Sequence, residues 1–538
     1  MPLPGKGQTG FTPTDAVLIS LQVDLDTIGL KSLHAALLEA GFSSKLLYLP
    51  GLQPPDLSVM DPVAAFLRRT RPQFIGISLM SHEYTAAVSL TGYIRRAGID
   101  IPIVWGGIHP TIVPEMCLDH ADYICVGEGE AAVVEFLTAL KQGRDTNAIV
   151  GFRSKHQGPV TGIRPAPLIG DLDRLPYIGH IPRDSFILRG NRIICLNKSI
   201  FKSYARWKGT VYSFMASRGC PFSCSYCCNE YLSRMYETRT IRRRSVASII
   251  NELETAVRQN PDIVYINFQD DCFLACPDDY LAAFCRAYQA RIRRPFIVRC
   301  IPSFVSEDRL KQLKAAGLSW ISMGLQSGSD HVLTDIYHRR SLAKDFLKAA
   351  TLIRKVNVAA YYDVILDNPF ETDVDRLDTV AVLAAVPRPF FLQLFSLVLF
   401  PGTSLYSRML NERGQCPTEY LVKNYHDYQK TDLNRLIRIS GYLPVTMVRY
   451  LTAAYARYGS TPAFRLRLRL AGLISAFWLE PLTYFRVVKK SRQENIVRTL
   501  QVLPAFLRIG ISRYIKQFEG PTVRRIERLI RDHSTGES

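Results

Sequence analysis

The chain has 538 residues, which at about 100–200 residues per domain implies three or four domains. It is 47% hydrophobic and 21% charged, which excludes wholesale disorder. The formal charge of +19 points to an anionic partner or surface and says nothing about fold.

That charge is unevenly spread. Residues 1–143 hold nine Lys/Arg and fourteen Asp/Glu, whereas residues 435–538 hold nineteen and six. From Ala16 the chain alternates strand-like and helix-like runs. Ala16–Val23, Lys45–Tyr48, Phe74–Leu79, Ile103–Trp105 and Tyr123–Val126 are short apolar runs, and Leu30–Ala40 has helical spacing ended by Gly41. Such alternation predicts a parallel sheet with crossover helices over residues 1–143. Residues 144–210 are punctuated by Pro159, Pro165, Pro167, Pro176 and Pro182 and read as a connector with room for short strands. A second β/α alternation fills residues 211–405. Its strand-like runs are Val211–Met215, Ile263–Phe268, Phe296–Cys300, Trp320–Met323, Tyr362–Leu366 and Phe391–Leu399, with helical patterns at Val246–Arg258, Pro277–Ala290 and Ser306–Ala316. Six strands predict a partial (β/α) barrel with its chemistry at the C-terminal strand ends. Residues 406–538 are expected to be mainly helical and basic. The fold class is therefore α/β, with a helical C-terminal domain.

No signal-type apolar segment follows the Met-Pro-Leu-Pro start, and the most apolar stretch, Leu470–Leu479, is too short to span a bilayer. A cytoplasmic location is expected. The twelve Cys cluster rather than spread, which points to metal rather than to a disulfide framework.

The strongest signal is Cys220-Pro-Phe-Ser-Cys224-Ser-Tyr-Cys227, just after a strand-like run. Three thiolates on one tight loop can bind three irons of a cubane and leave the fourth open. Two blander readings are three buried structural thiols, or a zinc site that recruits the adjacent Cys228. The pattern Cys-x-x-x-Cys-x-aromatic-Cys resembles the radical S-adenosylmethionine (SAM) superfamily. The resemblance implies a [4Fe-4S] cluster on Cys220, Cys224 and Cys227, SAM chelated to the open iron, and reductive cleavage of SAM to a 5′-deoxyadenosyl radical. It implies an adenine-side contact by Tyr226, contacts to the SAM amino group by Asp270 and Asp271, and contacts by Gln326 and Ser327. Many relatives carry Glu where Gln326 stands. Asp367-Asn368-Pro369-Phe370-Glu371-Thr372 resembles a Gly-Leu-Pro-Gly-Glu-Thr segment with both glycines replaced, and Pro401-Gly402-Thr403 resembles the segment that closes the barrel.

Residues 1–143 resemble the cobalamin-binding domain that precedes the barrel in one large subfamily. Trp105-Gly106-Gly107-Ile108-His109 and Val126-Gly127-Glu128-Gly129 each follow a strand and precede a helix, where glycine lets backbone approach a flat ligand. The resemblance implies a cobalamin site built from Asp26, Thr27, Gly29, Ser78, Gly106, Gly107, His109, Gly127, Glu128 and Gly129. His82 and Glu83 are further candidates. Asp26 stands where His-on relatives carry the lower-ligand His. A carboxylate is a poor substitute for imidazole on cobalt, so two readings stay open: base-off binding, or a domain that has lost the cofactor.

In the tail, Arg465, Arg467 and Arg469 alternate with Phe464, Leu466, Leu468 and Leu470, followed by Phe477 and Trp478; Arg486, Lys489, Lys490, Arg492, Arg498, Arg524, Arg525 and Arg528 lie further on. A solvated helix face and an interfacial surface facing anionic lipid both fit. Patterns for nucleic-acid binding are missing. The combined resemblance implies a cobalamin-dependent radical SAM enzyme acting on a small-molecule or lipid-like substrate, with an external electron donor such as flavodoxin or ferredoxin. Methylation of an unactivated carbon, and oxidative cyclisation or coupling without methylation, are both open; a non-catalytic iron–sulfur or corrinoid carrier is the reading from another class.

Overall fold

A computed structural model describes residues 12–52, 60–157, 163–417, 419–422, 425–483 and 486. Lys489, Lys490, Arg492, Arg498, Arg524, Arg525 and Arg528 lie outside them. The chain divides into two compact units, residues 1–299 with 398–424, and residues 300–397 with 425–538.

The first unit opens with a sheet of eight strands: β1 (Ala16–Ser20), β2 (Ser44–Tyr48), β3 (Phe74–Ser78), β4 (Ile103–Gly106), β5 (Tyr123–Cys125), β6 (Phe152–Ser154), β7 (Ser185–Arg189) and β8 (Arg192–Cys195). Their order is β6-β5-β4-β3-β1-β2-β7-β8, parallel except at the β5–β6 and β7–β8 pairs. Period-two alternation splits the strand residues between two cores. Val17, Ile19, Leu47, Ile75, Ile77 and Trp105 pack on one face against α2 (Asp61–Thr70) and α3 (Tyr84–Arg96). Ala16, Leu18, Leu46, Phe74 and Val104 pack on the other; the helices that cover them are α1 (Ile28–Glu39) and α6 (Gly129–Gln142). Both faces are covered, which is why these strands are continuously apolar. Between β4 and α6 lie the short helices α4 (Ile108–Ile112) and α5 (Pro114–Leu118). Residues 144–210 do more than connect: β6 closes one sheet edge, and the β7–β8 hairpin extends the other before α7 (Lys198–Tyr204).

The same unit holds β9 (Val211–Phe214), the short pair β10 (Ser217–Arg218) and β11 (Arg242–Arg243), then β12 (Tyr265–Phe268) and β13 (Phe296–Cys300). β9, β12 and β13 are parallel neighbours, with α8 (Cys228–Met235), α9 (Val246–Gln259) and α10 (Asp278–Arg291) in the connections. Ser245 caps α9 by accepting from Ser248 N. Phe268, Phe284 and Phe296 interlock edge to face behind these strands, and Tyr288 packs edge to face on Phe296 and tilted on Phe284.

The second unit continues β/α with α11 (Glu307–Ala316), β14 (Leu318–Gln326), α12 (Ala343–Val356), β15 (Ala359–Leu366), α13 (Asp373–Ala385) and β16 (Phe391–Ser396). β14, β15 and β16 are parallel neighbours. Tyr362 faces α12 through Phe346, so Tyr361 faces the opposite side, where the rings of Tyr361, Trp320 and Phe391 stack in mutual contact. α14 (Ser404–Arg413) and α15 (Glu419–Val422) belong to the first unit, and α16 (Asp432–Ser440), α17 (Val445–Tyr458) and α18 (Pro462–Ile474) to the second.

One buried ion pair ties the connector to the strands that follow it. The Arg244 guanidinium meets Glu252, donates to Leu172 O at 3.1 Å and Leu175 O at 2.7 Å, and Tyr212 donates to the same Glu252 at 2.8 Å. Glu252→Ala strands a buried cation and a buried phenol. The expected loss is about 3–5 kcal/mol, read as a lower denaturation midpoint with an unchanged slope.

Candidate active site

The three cysteines sit on a loop clamped at both ends. Upstream, β10 pairs antiparallel with β11, Ser217 opposite Arg243 and Arg218 opposite Arg242. Gly219 follows at φ +100°, where a Cβ would stand 3.0 Å from Thr240 O, so a side chain is excluded. Downstream, Cys227 N donates to Cys224 O at 2.9 Å and α8 begins at Cys228. Glu230 on α8 accepts from Ser404 Oγ at 3.1 Å, and Leu405 N donates to Ser225 O at 2.9 Å. The Pro401-Gly402-Thr403 segment is thus folded against the loop, and a Cβ on Gly402 would meet the Tyr231 ring at 2.5 Å.

Cys220, Cys224 and Cys227 are half-buried and are not joined in disulfides. Burial pushes Cys220 up to about 12, and the hydrogen bond with the Cys228 thiol, with burial, raises Cys227 above its ordinary value, so at neutral pH they release protons only on metal binding. Among the described residues no three His, Cys, Asp or Glu side chains form a single-ion site. A cubane asks for one thiolate per iron, a different arrangement from three ligands on one ion.

Of the other residues expected near SAM, Tyr226 lies on the same loop. Asp270 is fully buried and accepts from Ala216 N at 3.2 Å and from the Ser217 hydroxyl, so its carboxyl ties the end of β12 to the strand leading into the loop. Asp271 faces the surface and accepts from the Asn229 side chain on α8. Gln326 and Ser327 belong to the second unit. Gln326 ends β14 at φ +69°, after a register break, and its buried Oε1 has no protein partner. Ser327 is buried beside Thr379 and donates to Glu371, whose carboxyl burial pushes up to about 7.

A cavity of about 340 Å³ runs within the first unit. Gly29, Ser78, Gly106, Gly107, Gly127, Glu128 and Gly129 line it, and so do Met215, Gly219, Cys220 and Asn229. Gly107 sits at φ +97° with a would-be Cβ 2.8 Å from Leu79 O, so this wall stays bare backbone. Asp26, Thr27 and His109 do not line the cavity. Asp26 accepts from the Ser213 hydroxyl and lies 4.0 Å from Lys31, and Thr27 is buried. His109 is buried, with Nδ1 3.0 Å from Ser81 Oγ and Nε2 without a protein partner; desolvation lowers it to about 4, so it is neutral at pH 7. Glu83 accepts from Met80 N at 2.7 Å, its other oxygen has no protein partner, and burial pushes it up to about 7. His82 Nε2 lies 3.9 Å from Glu83.

These features fit a flat macrocycle: bare glycine loops where β4 and β5 end, and an Asp26 engaged elsewhere. Sequence reading missed the ion cluster at the cavity. Glu128 accepts from Arg242 at 2.6 and 2.9 Å and from Ile169 N at 2.9 Å, Arg218 lies 3.3 Å from Glu128 and 2.5 Å from Glu130, and Ser32 donates to Glu130 at 2.9 Å. The available signals were Arg218, two residues before Cys220, and the Arg242–Arg244 run.

Burial pushes Asp270 up to about 6 despite its hydrogen bonds. Its folded value exceeds the unfolded one of about 3.9, so folding loses stability as pH rises from about 4 to 6, by about 3 kcal/mol for this group. Asp270→Asn keeps a polar amide there and removes the titration. In urea titrations of the apo-protein the variant should lack that segment of the pH–stability curve.

The B12 binding domain model matches residues 14–137, and the radical SAM superfamily model matches residues 215–383. An uncharacterized methyltransferase from Pyrococcus horikoshii is 23% identical over 412 residues, covering 76% of this chain and 83% of that one. The anaerobic magnesium-protoporphyrin IX monomethyl ester cyclase of Rubrivivax gelatinosus is 26% identical over 350 residues, covering 62% of this chain and 58% of its own length. The solved structure of the radical SAM methyltransferase TsrM from Kitasatospora setae, with cobalamin and a [4Fe-4S] cluster bound, superposes with a TM-score of 0.58 at 20% identity, covering 74% of this chain and 75% of that one. The fold class expected from the sequence stands: an N-terminal B12-binding domain, a radical SAM domain with a parallel half-barrel sheet, and a helical C-terminal region.

Proposed function

The chain is a cobalamin-dependent radical SAM enzyme, and on that premise we propose that it methylates an unactivated carbon of a small-molecule or lipid-like substrate. The observation that carries the reading is the shared cavity: glycine loops of the B12-binding domain and Cys220 of the cysteine loop line one space. A methyl carrier and a radical source housed side by side can act on one substrate carbon.

The residue roles are part of the proposal. Cys220, Cys224 and Cys227 hold the [4Fe-4S] cluster, and Tyr226, Asp271, Gln326 and Ser327 contact SAM. Asp270 acts by fixing the strand that leads into the loop. Gly29, Ser78, Gly106, Gly107, Gly127 and Gly129 give cobalamin a bare wall, and His109, outside that lining, acts by bonding Ser81. Asp26, held by Ser213 and Lys31, supports base-off binding. Bound there, the cofactors supply hydrogen-atom abstraction and methyl delivery. The division into residues 1–143, 144–210, 211–405 and 406–538 belongs to the same reading; both family matches fall inside the corresponding bounds.

A second reading is oxidative cyclisation or coupling without methylation, favoured by the likeness to the cyclase, of which this chain spans 58%. Product balance separates the two. Methylation, with two electrons per product from a donor such as flavodoxin or ferredoxin, should release one S-adenosylhomocysteine, one methionine and one 5′-deoxyadenosine per product. Cyclisation releases no S-adenosylhomocysteine, and a non-catalytic carrier releases neither nucleoside.

Cys220→Ala, Cys224→Ala and Cys227→Ala should each abolish 5′-deoxyadenosine formation, whereas Cys228→Ala should not. Iron near four per chain persisting in the triple variant would sink the cluster assignment. Reconstituted protein should show a cobalamin spectrum lacking a nitrogen lower ligand, and Asp26→Ala should leave that spectrum unchanged. Loss of all corrinoid on gel filtration with the cluster intact would mean a domain that no longer binds it.

A further inference from the structure

Helix α18 carries two apolar faces. Phe464, Leu468 and Ala471 are buried. Leu466, Leu470 and Leu473 recur at helical spacing, on the opposite side at about 100° per residue, and are exposed at 59%, 52% and 37%. Ile474 and, at 75%, Trp478 continue the exposed surface. Single exposed leucines need no explanation, but a contiguous stripe does.

The borders of the stripe are cationic. Arg465 and Arg469 project on one side and Arg467 on the other. Arg465 stands 3.0 Å from Asp432, and Arg467 lies over the ring of exposed Tyr450 at 5.7 Å. Residues 433–486 hold eight Lys/Arg and a single acid, Glu480, which faces Arg438 at 3.6 Å. Among the described residues no helix is long and apolar enough to cross a membrane.

We propose that this face of α18 docks on an anionic lipid bilayer. The apolar stripe would enter the headgroup–acyl boundary while the arginines meet lipid phosphates on either side. Charge complementarity suits this apolar stripe with arginines on both borders to a uniformly anionic lipid surface, and a second copy of the same cationic face would repel it. The proposal is independent of which reaction the enzyme performs.

Vesicle flotation of the full-length protein tests it. The protein should bind vesicles of phosphatidylcholine with phosphatidylglycerol at low salt, leave them as salt rises, and ignore phosphatidylcholine alone. Arg467→Gln with Arg469→Gln should lower partitioning on the order of 30-fold. Leu470→Ser with Leu473→Ser should remove binding with Tm unchanged, since both side chains are exposed. Brominated lipids should quench tryptophan emission in the wild type and not in Trp478→Phe. Failure to float with anionic vesicles at low salt overturns the proposal. So does binding that survives both double changes, which assigns the contact to another part of the chain. A Leu470→Ser, Leu473→Ser protein whose solution mass halves also overturns it, by assigning the face to a second copy.

Discussion

Two arginines side by side on one strand pair impose the constraint around which the site is arranged. Arg218 and Arg242 face each other across β10 and β11, are largely buried, and would repel if left alone. Glu128 and Glu130, at the start of α6, neutralise both. These carboxylates belong to the glycine loop of the B12-binding domain, and Arg218 lies two residues before the first cysteine of the cluster loop. Charge balance therefore fixes the glycine loop against the cysteine loop. Tyr236 adds a geometric lock: its hydroxyl donates to Ala166 O at 2.8 Å, and any side chain at Gly127 would collide with it. Removing one partner of such a cluster leaves an uncompensated, desolvated charge, which costs more than the pair contributes.

The local parts of this site were legible in the sequence because their chemistry is local. Three thiols within eight residues announce a metal loop, and glycines between an apolar run and a helical run announce a bare ligand wall. Strand identities followed from continuous apolar runs buried on both faces. What was not legible is set by long-range partners. Glu128 meets Arg242 across 114 residues, and Asp26 meets Ser213 across 187. Nothing in either neighbourhood tells a carboxylate on a loop from one held by a partner. Asp270 is the same case: it reads as a polar strand-end residue, and only the fold turns it inward to Ala216 and Ser217. Strands β6, β7 and β8 were obscured because prolines break the patterns around them.

The electrostatics of the cavity match the demands of radical chemistry better than those of acid–base catalysis. A radical needs protection from water and from reactive side chains, not a developing charge stabilised at one atom. The groups around the cavity comply. Glu128 and Glu130 are neutralised by Arg218 and Arg242, and burial drives Cys220 toward its protonated form until metal displaces the proton. Asp26, at the position where His-on relatives carry the lower-ligand His, accepts from Ser213 and lies 4.0 Å from Lys31. An acid–base enzyme gathers titratable groups with values near neutrality around its substrate. Here the carboxylates pushed toward neutrality, Glu83, Asp270 and Glu371, do not line the cavity; Glu83 and Asp270 accept from backbone N–H donors and Glu371 from the Ser327 hydroxyl. The chain's own residues hold, shield and position, and the reactivity is left to the cofactors.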